Sequence, residues 1–393
     1  MPGVVACRGP VYGVRMDGRP VLVLNAGSSS LKYQVVEPAN GHVHLTGTVE
    51  RLSGGGHAAA LERVSGELSD AGLAEEDLLA VGHRVVHGGA DFSAPTLLDD
   101  DVVARIEELS VLAPLHNPPA VAGIRSARAT YPSLRQVAVF DTAFFHALPD
   151  SAATYAIDRD LAAAHQVRRY GFHGTSHEWV SRAAAELLGR DPDAPDGLRV
   201  IVLHLGNGAS ASAVRDGRPL DTSMGLTPLE GLVMGTRPGD LDAGVLLHLL
   251  REGGLDAEGL ERLLFTGSGL GGLAGSSDVR DVLAAVDRGD PAATLAWAVY
   301  VHRVRKYVGA YLAVLGGADA VVFTAGVGEH SARARADTMA GLEELGVELD
   351  ASRNEAEDEG PRHISTAGSR IAVLVVPTNE ELSIARQAAA LVR

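Results

Sequence analysis

Cysteine and lysine are almost missing from this chain. Among its 393 residues there is one cysteine, Cys7. One thiol excludes an internal disulfide and a cysteine-based zinc site, and it fits a reducing cytoplasm. No apolar run approaches the roughly 20 residues of a membrane span. Residues 1–20 contain Arg8 and Arg15 but no continuous apolar stretch of signal-peptide type. Positive charge is also short, with 34 basic against 50 acidic residues and a formal net charge of −16. So acidic a chain is a poor general ligand for nucleic acid or an anionic membrane. Any anion it binds is held by local groups working against the overall field. Only Lys32 and Lys306 are lysines; the remaining basic residues are arginines. With Ala, Gly and Val abundant, this reads as high-GC coding. A lysine kept against that bias is a candidate for a compact point charge that arginine does not replace.

What is present is an ordinary folded composition, 46% hydrophobic and 21% charged. The length suits two or three domains. Apolar runs at 21–24, 137–140, 200–205, 320–324 and 371–376 end in small residues and read as strands followed by tight loops. Helical periodicity covers 176–188, 242–251, 256–264, 278–287 and 292–315. Thr175 or Ser176 is the expected cap of the first of these helices. Connections are expected at 53–60, 189–197 and 354–360. Strands alternating with helices point to an α/β fold. A weak repeat adds detail. The strand at 21–24 leads through Asn25–Ser30 into a second strand, and about 180 residues later 200–205 leads through Gly206-Asn207-Gly208 into another. A duplicated hairpin implies two similar domains, against the plainer reading of two Gly/Ser turns alike by chance.

Several segments carry chemistry. Asn25–Ser30, followed by Lys32, offers backbone N–H groups and hydroxyls to an anion. It is neither a Walker loop nor a Rossmann fingerprint, and an ordinary hairpin turn is the competing reading. Gly82–Gly89 sets Arg84 beside two histidines, and arginine grips carboxylates and phosphates in two-point fashion. Asp141 ends a strand, a favoured ligand position in α/β sheets, though also a common Asx-turn. The run Tyr170–His177 holds His173 and His177 around Gly-Thr-Ser, denser than a helix cap requires. Arg237 is a second candidate anion clamp. Asp278 opens a helix, which a plain cap also explains. Gly326-Val327-Gly328-Glu329-His330 follows a strand and reads as a backbone loop able to approach a nucleotide. Glu380 is a candidate metal ligand or a first-turn glutamate favoured by the helix dipole.

Together NAGSSSLKY, GHRVVHGG, LAPLHNPP, FDTAFF, RYGFHGTSH, HLGNGAS, DTSMGLTPLEGLVMGTRPGD, FTAGVGE and PTNEEL resemble, in order from Val21 to Arg386, the acetate kinase (acetokinase) family. The resemblance implies a two-domain actin-like fold of the sugar kinase/Hsp70 type with duplicated ribonuclease H-like domains and a nucleotide cleft. The expected division is 1–145 plus 382–393 for the N-terminal domain and 146–381 for the C-terminal, nucleotide-binding and dimerisation domain. It implies reversible in-line transfer of the ATP γ-phosphoryl group to acetate, with Mg²⁺ or Mn²⁺, by a cytoplasmic homodimer that engages neither nucleic acid nor membrane.

By motif position, the resemblance implies metal association for Asn25 and Glu380 and a nucleotide contact for Lys32. Arg84 falls on the acetate-carboxylate position, with Val86, Leu115, Phe172 and Pro228 forming the methyl pocket. Asp141 is the catalytic acidic residue; His173 and Arg237 stabilise the transition state. His204, Leu205, Gly206, Asn207 and Gly208, then Asp278, Val279 and Arg280, then Gly326, Val327, Gly328, Glu329 and His330 fall on nucleotide-binding segments. Acetate is already a carboxylate, so no general base is needed, and Asp141 is expected to position groups or hold the metal. The alternatives are a propionate- or butyrate-preferring kinase and a catalytically silent nucleotide-binding module. The chain departs from the family's pattern in three places: the N-terminal segment before Val21, with Met16 as an alternative start; Phe144-Phe145-His146; and His330, where asparagine is frequent.

Overall fold

A computed structural model describes residues 18–52 and 56–393. Cys7, Met16 and most of the N-terminal segment lie outside the described residues. The chain divides into two compact units. The first takes in the described residues up to His146, together with Gly174–Trp179 and Asn379–Arg393; the second is Ala147–His173 and Val180–Thr378. The expected division left Glu380 with the second domain. Instead it stays with the first, because its helix, Glu380–Leu391, packs on the first unit's strands.

The first unit is built on a six-stranded sheet of β1 (Val21–Ala26), β2 (Ser30–Val36), β3 (Val43–Glu50), β4 (Ala80–Val85), β5 (Thr96–Leu97) and β6 (Gln136–Phe140), in the order β3-β2-β1-β4-β6-β5. The β1–β2, β2–β3 and β5–β6 pairs are antiparallel; β1–β4 and β4–β6 are parallel. Period-two alternation sends Leu22 and Leu24 to one face, against Leu61 and Val64 of the helix Gly56–Asp70. Val21 and Val23 go to the other face, against Leu382, Ile384, Ala385 and Ala388. With both faces covered, β1 reads as an unbroken apolar run.

The second unit repeats the plan. Its strands are β7 (Arg199–Leu205), β8 (Ala209–Arg215), β9 (Arg218–Thr222), β10 (Ala320–Thr324), β11 (Arg362–His363) and β12 (Ala372–Val375), in the order β11-β12-β10-β7-β8-β9. Read from the other edge, every strand matches its counterpart in the first sheet, and every parallel or antiparallel pairing is the same. The two similar hairpins are therefore equivalent strands of a duplicated α/β domain. The helix Pro291–Leu315 covers this sheet with Tyr300, Val304, Val308 and Tyr311 at helical spacing.

Some expectations shift. Residues 56–60, read as a connection, open the helix Gly56–Asp70. The helix expected at 176 begins at Gly174, with His173 in the cap position. Residues Gly326–His330 lie in a short helix, Ala325–His330, rather than an open loop. Asn354, placed in an exposed connection, is buried.

Candidate active site

In the first unit the site residues gather at the C-terminal ends of parallel strands. The β4–β6 register pairs Arg84 with Val139 and Val85 with Phe140. Asp141, the next residue, donates its N–H to the Val85 carbonyl at 2.9 Å. Arg84 then reaches Asp141 with two donors, Nε to Oδ1 at 3.0 Å and Nη2 to Oδ2 at 2.7 Å. Nη2 also lies 3.5 Å from Glu380 Oε2. Burial would lower the Arg84 pKa, but the charges of Asp141 and Glu380 overcome it and hold the guanidinium raised. Asp141 is buried and Glu380 half-buried. Asn379 caps the Glu380 helix by accepting the Leu382 N–H at 3.0 Å, which sets the carboxylate at the helix's first turn.

Asn25 and Lys32 face each other across the β1–β2 ladder, and Lys32 is exposed. The turn between the strands is held from inside by the Gly27 N–H donating to the Ser30 carbonyl at 2.8 Å and by His57 Nε2, 3.2 Å from the Gly27 carbonyl. Val86 is half-buried, whereas Leu115 is 52% exposed within its loop. Asn117 was not singled out among the site residues, although it sits in the HNPP motif. It is fully buried; its Oδ1 accepts the His87 N–H at 3.2 Å and its Nδ2 donates to the His87 carbonyl at 3.0 Å. That clamp holds the segment carrying Arg84 and Val86.

The second unit gathers a different set. His173 has φ of 57° and ψ of 28°, a left-handed conformation uncommon outside glycine. Its ring stacks on His204 at 4.2 Å between centroids, and its Nδ1 lies 2.9 Å from Ser210 Oγ. Arg237 donates through Nη1 to the Pro228 carbonyl at 2.9 Å, which ties the catalytic candidate to the pocket candidate. Burial alone lowers its pKa. A Cβ on Gly208 would meet Arg237 Nη2 at 3.0 Å and His173 Cε1 and Nε2 at 3.6 Å, so both side chains converge on this turn. The Gly235 N–H donates to the Asn207 carbonyl at 2.9 Å, joining the Arg237 loop to the β7–β8 turn. Phe172 is buried.

Beside this turn is a cavity of about 570 Å³ lined by Asn207, Asp278, Val279, Arg280, Gly326 and His330, among others. That size suits a small ligand. Parts of all three segments expected at a nucleotide line this one cavity, whereas His204, Leu205, Gly208 and Glu329 are not among its lining residues. Asp278 caps its helix, and its pair with Arg280 holds its carboxyl at about 2. Glu329 makes contacts within the protein. Its Oε1 accepts the N–H groups of Ala325 at 2.7 Å and Thr378 at 3.1 Å. Arg335, which sequence reasoning missed, is buried and donates to the carbonyls of Gly328, Glu329 and Asn354. Burial pushes its pKa down to about 10. It fixes the segment Gly326–His330 from behind. Its only sequence signal was an arginine at helical spacing in a polar stretch.

The residues fit a hard divalent cation. Asn25 and Glu380 offer amide and carboxylate oxygens, the donors Mg²⁺ prefers. The cluster sets one cation, Arg84, against two carboxylates, leaving excess negative charge at Glu380. Among the described residues no group of three or more His, Cys, Asp or Glu side chains is placed to hold a metal alone. A thin protein donor set completed by water and phosphate oxygens is the usual arrangement for Mg²⁺ in phosphoryl transfer.

Arg84, Asp141 and Glu380 thus meet in one unit, and His173 and Arg237 converge on Gly208 in the other. The acetokinase family model matches residues 48–386. The chain belongs to the acetokinase family. An acetate kinase from Streptomyces avermitilis is 55% identical, over 96% of this chain and 98% of its own length. Among solved structures, an acetate kinase from Porphyromonas gingivalis aligns with a TM-score of 0.89 and 41% identity over 95% of this chain and all of its own. A propionate kinase from Francisella tularensis aligns with the same TM-score at 38% identity, over 95% and 99% of the two chains. Membership of the family brings with it the two-domain actin-like fold whose duplication the two sheets display.

Proposed function

We propose that this chain is an ATP:acetate phosphotransferase, catalysing ATP + acetate ⇌ ADP + acetyl phosphate by direct in-line transfer. The observation that carries the reading is family membership, joined to intact Arg84, Asp141, His173 and Arg237. On this reading Arg84 keeps its Nε–Nη2 edge on Asp141 and turns its Nη1 edge to the substrate carboxylate. Asp141 holds the guanidinium in plane. An acetate oxygen attacks the γ-phosphorus, the bond to the β-bridging oxygen breaks, and ADP leaves. His173 and Arg237 donate to the γ-phosphoryl oxygens as charge spreads over them. Asn25 and Glu380 would hold Mg²⁺, which supplies charge neutralisation on the phosphates when bound. The 570 Å³ cavity takes the nucleoside, with Asp278–Arg280 and Gly326–His330 at its walls.

The reading includes a cytoplasmic location and a homodimer. Supporting the dimer, no residue of the helix Ala243–Glu252 is buried although it carries Val245, Leu247 and Leu250. Leu241 and Leu273 are exposed too. A second copy covering that helix accounts for an apolar helix left in water. Light scattering on the purified chain is expected to give twice the chain mass, and Leu247→Glu with Leu250→Glu to give the monomer.

The deciding experiment traps acetyl phosphate as the hydroxamate with ATP and Mg²⁺, using acetate, propionate and no acid. Acetate-dependent product is expected. Propionate should be poorer but real, since one methylene discriminates by about 1–3 kcal/mol. Arg84→Ala should raise the KM for acetate about 10–100-fold, the worth of a charge-assisted contact, with the KM for ATP little changed. Full activity in Arg84→Ala would discard the carboxylate assignment. No product with any acid, from folded protein that still binds ATP, would favour a silent nucleotide-binding module.

A further inference from the structure

His173 is held at two points by one hairpin of the second unit. The β7–β8 register sets His204 directly opposite Ser210. His204 gives the His173 ring a flat surface, stacked with 17° between the planes. Ser210, fully buried, meets Nδ1 at 2.9 Å. The other edge, Cε1 and Nε2, points at Gly208, where Arg237 also converges. A neutral imidazole carries one N–H, and the partner of one nitrogen decides which nitrogen has it. If Nδ1 carried the proton, Nε2 would turn a lone pair toward the phosphoryl oxygens and repel them. If the Ser210 hydroxyl donates to Nδ1, Nε2 carries the N–H and becomes a donor to the developing charge.

We propose that Ser210 is a positioning residue for phosphoryl transfer: its hydroxyl donates to His173 Nδ1 and holds the ring as the Nε2–H tautomer, aimed with Arg237 at the Gly208 turn. The proposal rests on the role given to His173 above. It also explains how a non-glycine residue keeps a left-handed backbone at the cap of Gly174–Leu187. Such a conformation persists where the surroundings over-determine it, and here the stack and the hydroxyl do so from two directions.

The test compares Ser210→Ala, Ser210→Cys and Ser210→Thr in the hydroxamate assay, each also made with His173→Gln. Ser210→Ala is expected to lower kcat about 10–100-fold, the usual effect of losing an outer partner of an oriented histidine. The KM values for ATP and acetate should stay close to wild type. Ser210→Thr, which keeps the hydroxyl, should restore most of the rate. Ser210→Cys, of similar volume but a weak donor, should not. In the His173→Gln background Ser210→Ala should cost nothing further, because the interaction it removes is already gone.

Nitrogen NMR of the protein labelled at histidine gives an independent reading, with the His173 signals assigned by their loss in His173→Gln. Nδ1 should be the bare nitrogen and Nε2 the protonated one, with a mixture in Ser210→Ala. Wild-type kcat and an unchanged tautomer in Ser210→Ala would overturn the proposal. So would an equal loss in both backgrounds, or an imidazolium signature in the wild type. If His173→Gln itself kept full activity, the catalytic role of His173 would fall, and the tautomer spectrum would still decide what Ser210 does.

Discussion

The two units handle buried charge in opposite ways. In the first, Arg84 sits between Asp141 and Glu380, and its charge is answered by the protein. In the second, Arg237 is desolvated, donates to a neutral carbonyl, and pairs with no carboxylate among the described residues. A self-answered cluster is ready to bind but holds little stored cost. A half-buried cation without a counter-charge carries some desolvation cost in the free protein, which an arriving anion offsets. The acidic chain thus concentrates its demand for negative charge at the turn where His173 and Arg237 meet. On the proposed mechanism this is where phosphoryl transfer needs donors fixed in advance.

That contrast can be tested, starting with the largest effect. Arg237→Ala should lower kcat about a thousandfold while leaving stability unchanged or raised. A loss of more than about 2 kcal/mol in urea unfolding would mean that the protein, not the substrate, answers this charge. Asp141→Asn should behave in reverse, destabilising the first unit by about 3 kcal/mol because Arg84 keeps only Glu380. An unchanged unfolding midpoint would show the Arg84–Asp141 pair to be solvated in solution.

The smallest effect concerns His83, which neighbours Arg84 along β4 and is bonded to Gln136 at 2.8 Å. Burial lowers its pKa to about 4, against the hydrogen bond to Gln136. Like Arg237 it lacks a counter-charge, but a histidine can drop its proton and an arginine cannot. The folded pKa lies below the unfolded value, so the folded state binds fewer protons between the two. The stability contribution is complete above about pH 6.5 and is lost as pH falls through the folded value. Unfolding free energy should drop by about 2 kcal/mol between pH 7 and 5 from this group, and His83→Gln should flatten that part of the profile. An equal slope in the variant would assign it elsewhere.

Much of this was legible in the residues. Strands buried on both faces announce themselves as apolar runs, and β1, β6, β7, β10 and β12 were all read that way. The turn chemistry after them marked the candidate site segments, and the two hairpins disclosed the duplication. Less legible were residues whose importance depends on a distant partner. Asn117 looks like any asparagine before two prolines until His87 is beside it. Arg335 looks like a surface arginine until its carbonyl partners surround it. Ser210 looks like one small residue in an Ala-Ser run until the histidine arrives. Glu329, expected at a nucleotide, also accepts from the backbone of Ala325 and of distant Thr378. The helix Ala325–His330 was read as a loop because two glycines in six residues hide its periodicity.

Local properties were decided along the chain: which runs are apolar, where glycine and proline break them, and which side chains have chemistry to offer. These depend on neighbours within a few positions, so they can be read in order. The tertiary structure alone decided which charges meet, which are left unanswered, and which nitrogen of His173 turns to the site. Those are set by contacts between residues 37 to 296 positions apart, as in His173 with Ser210 and Arg84 with Glu380. Burial and proximity fix them, and no local pattern encodes either one.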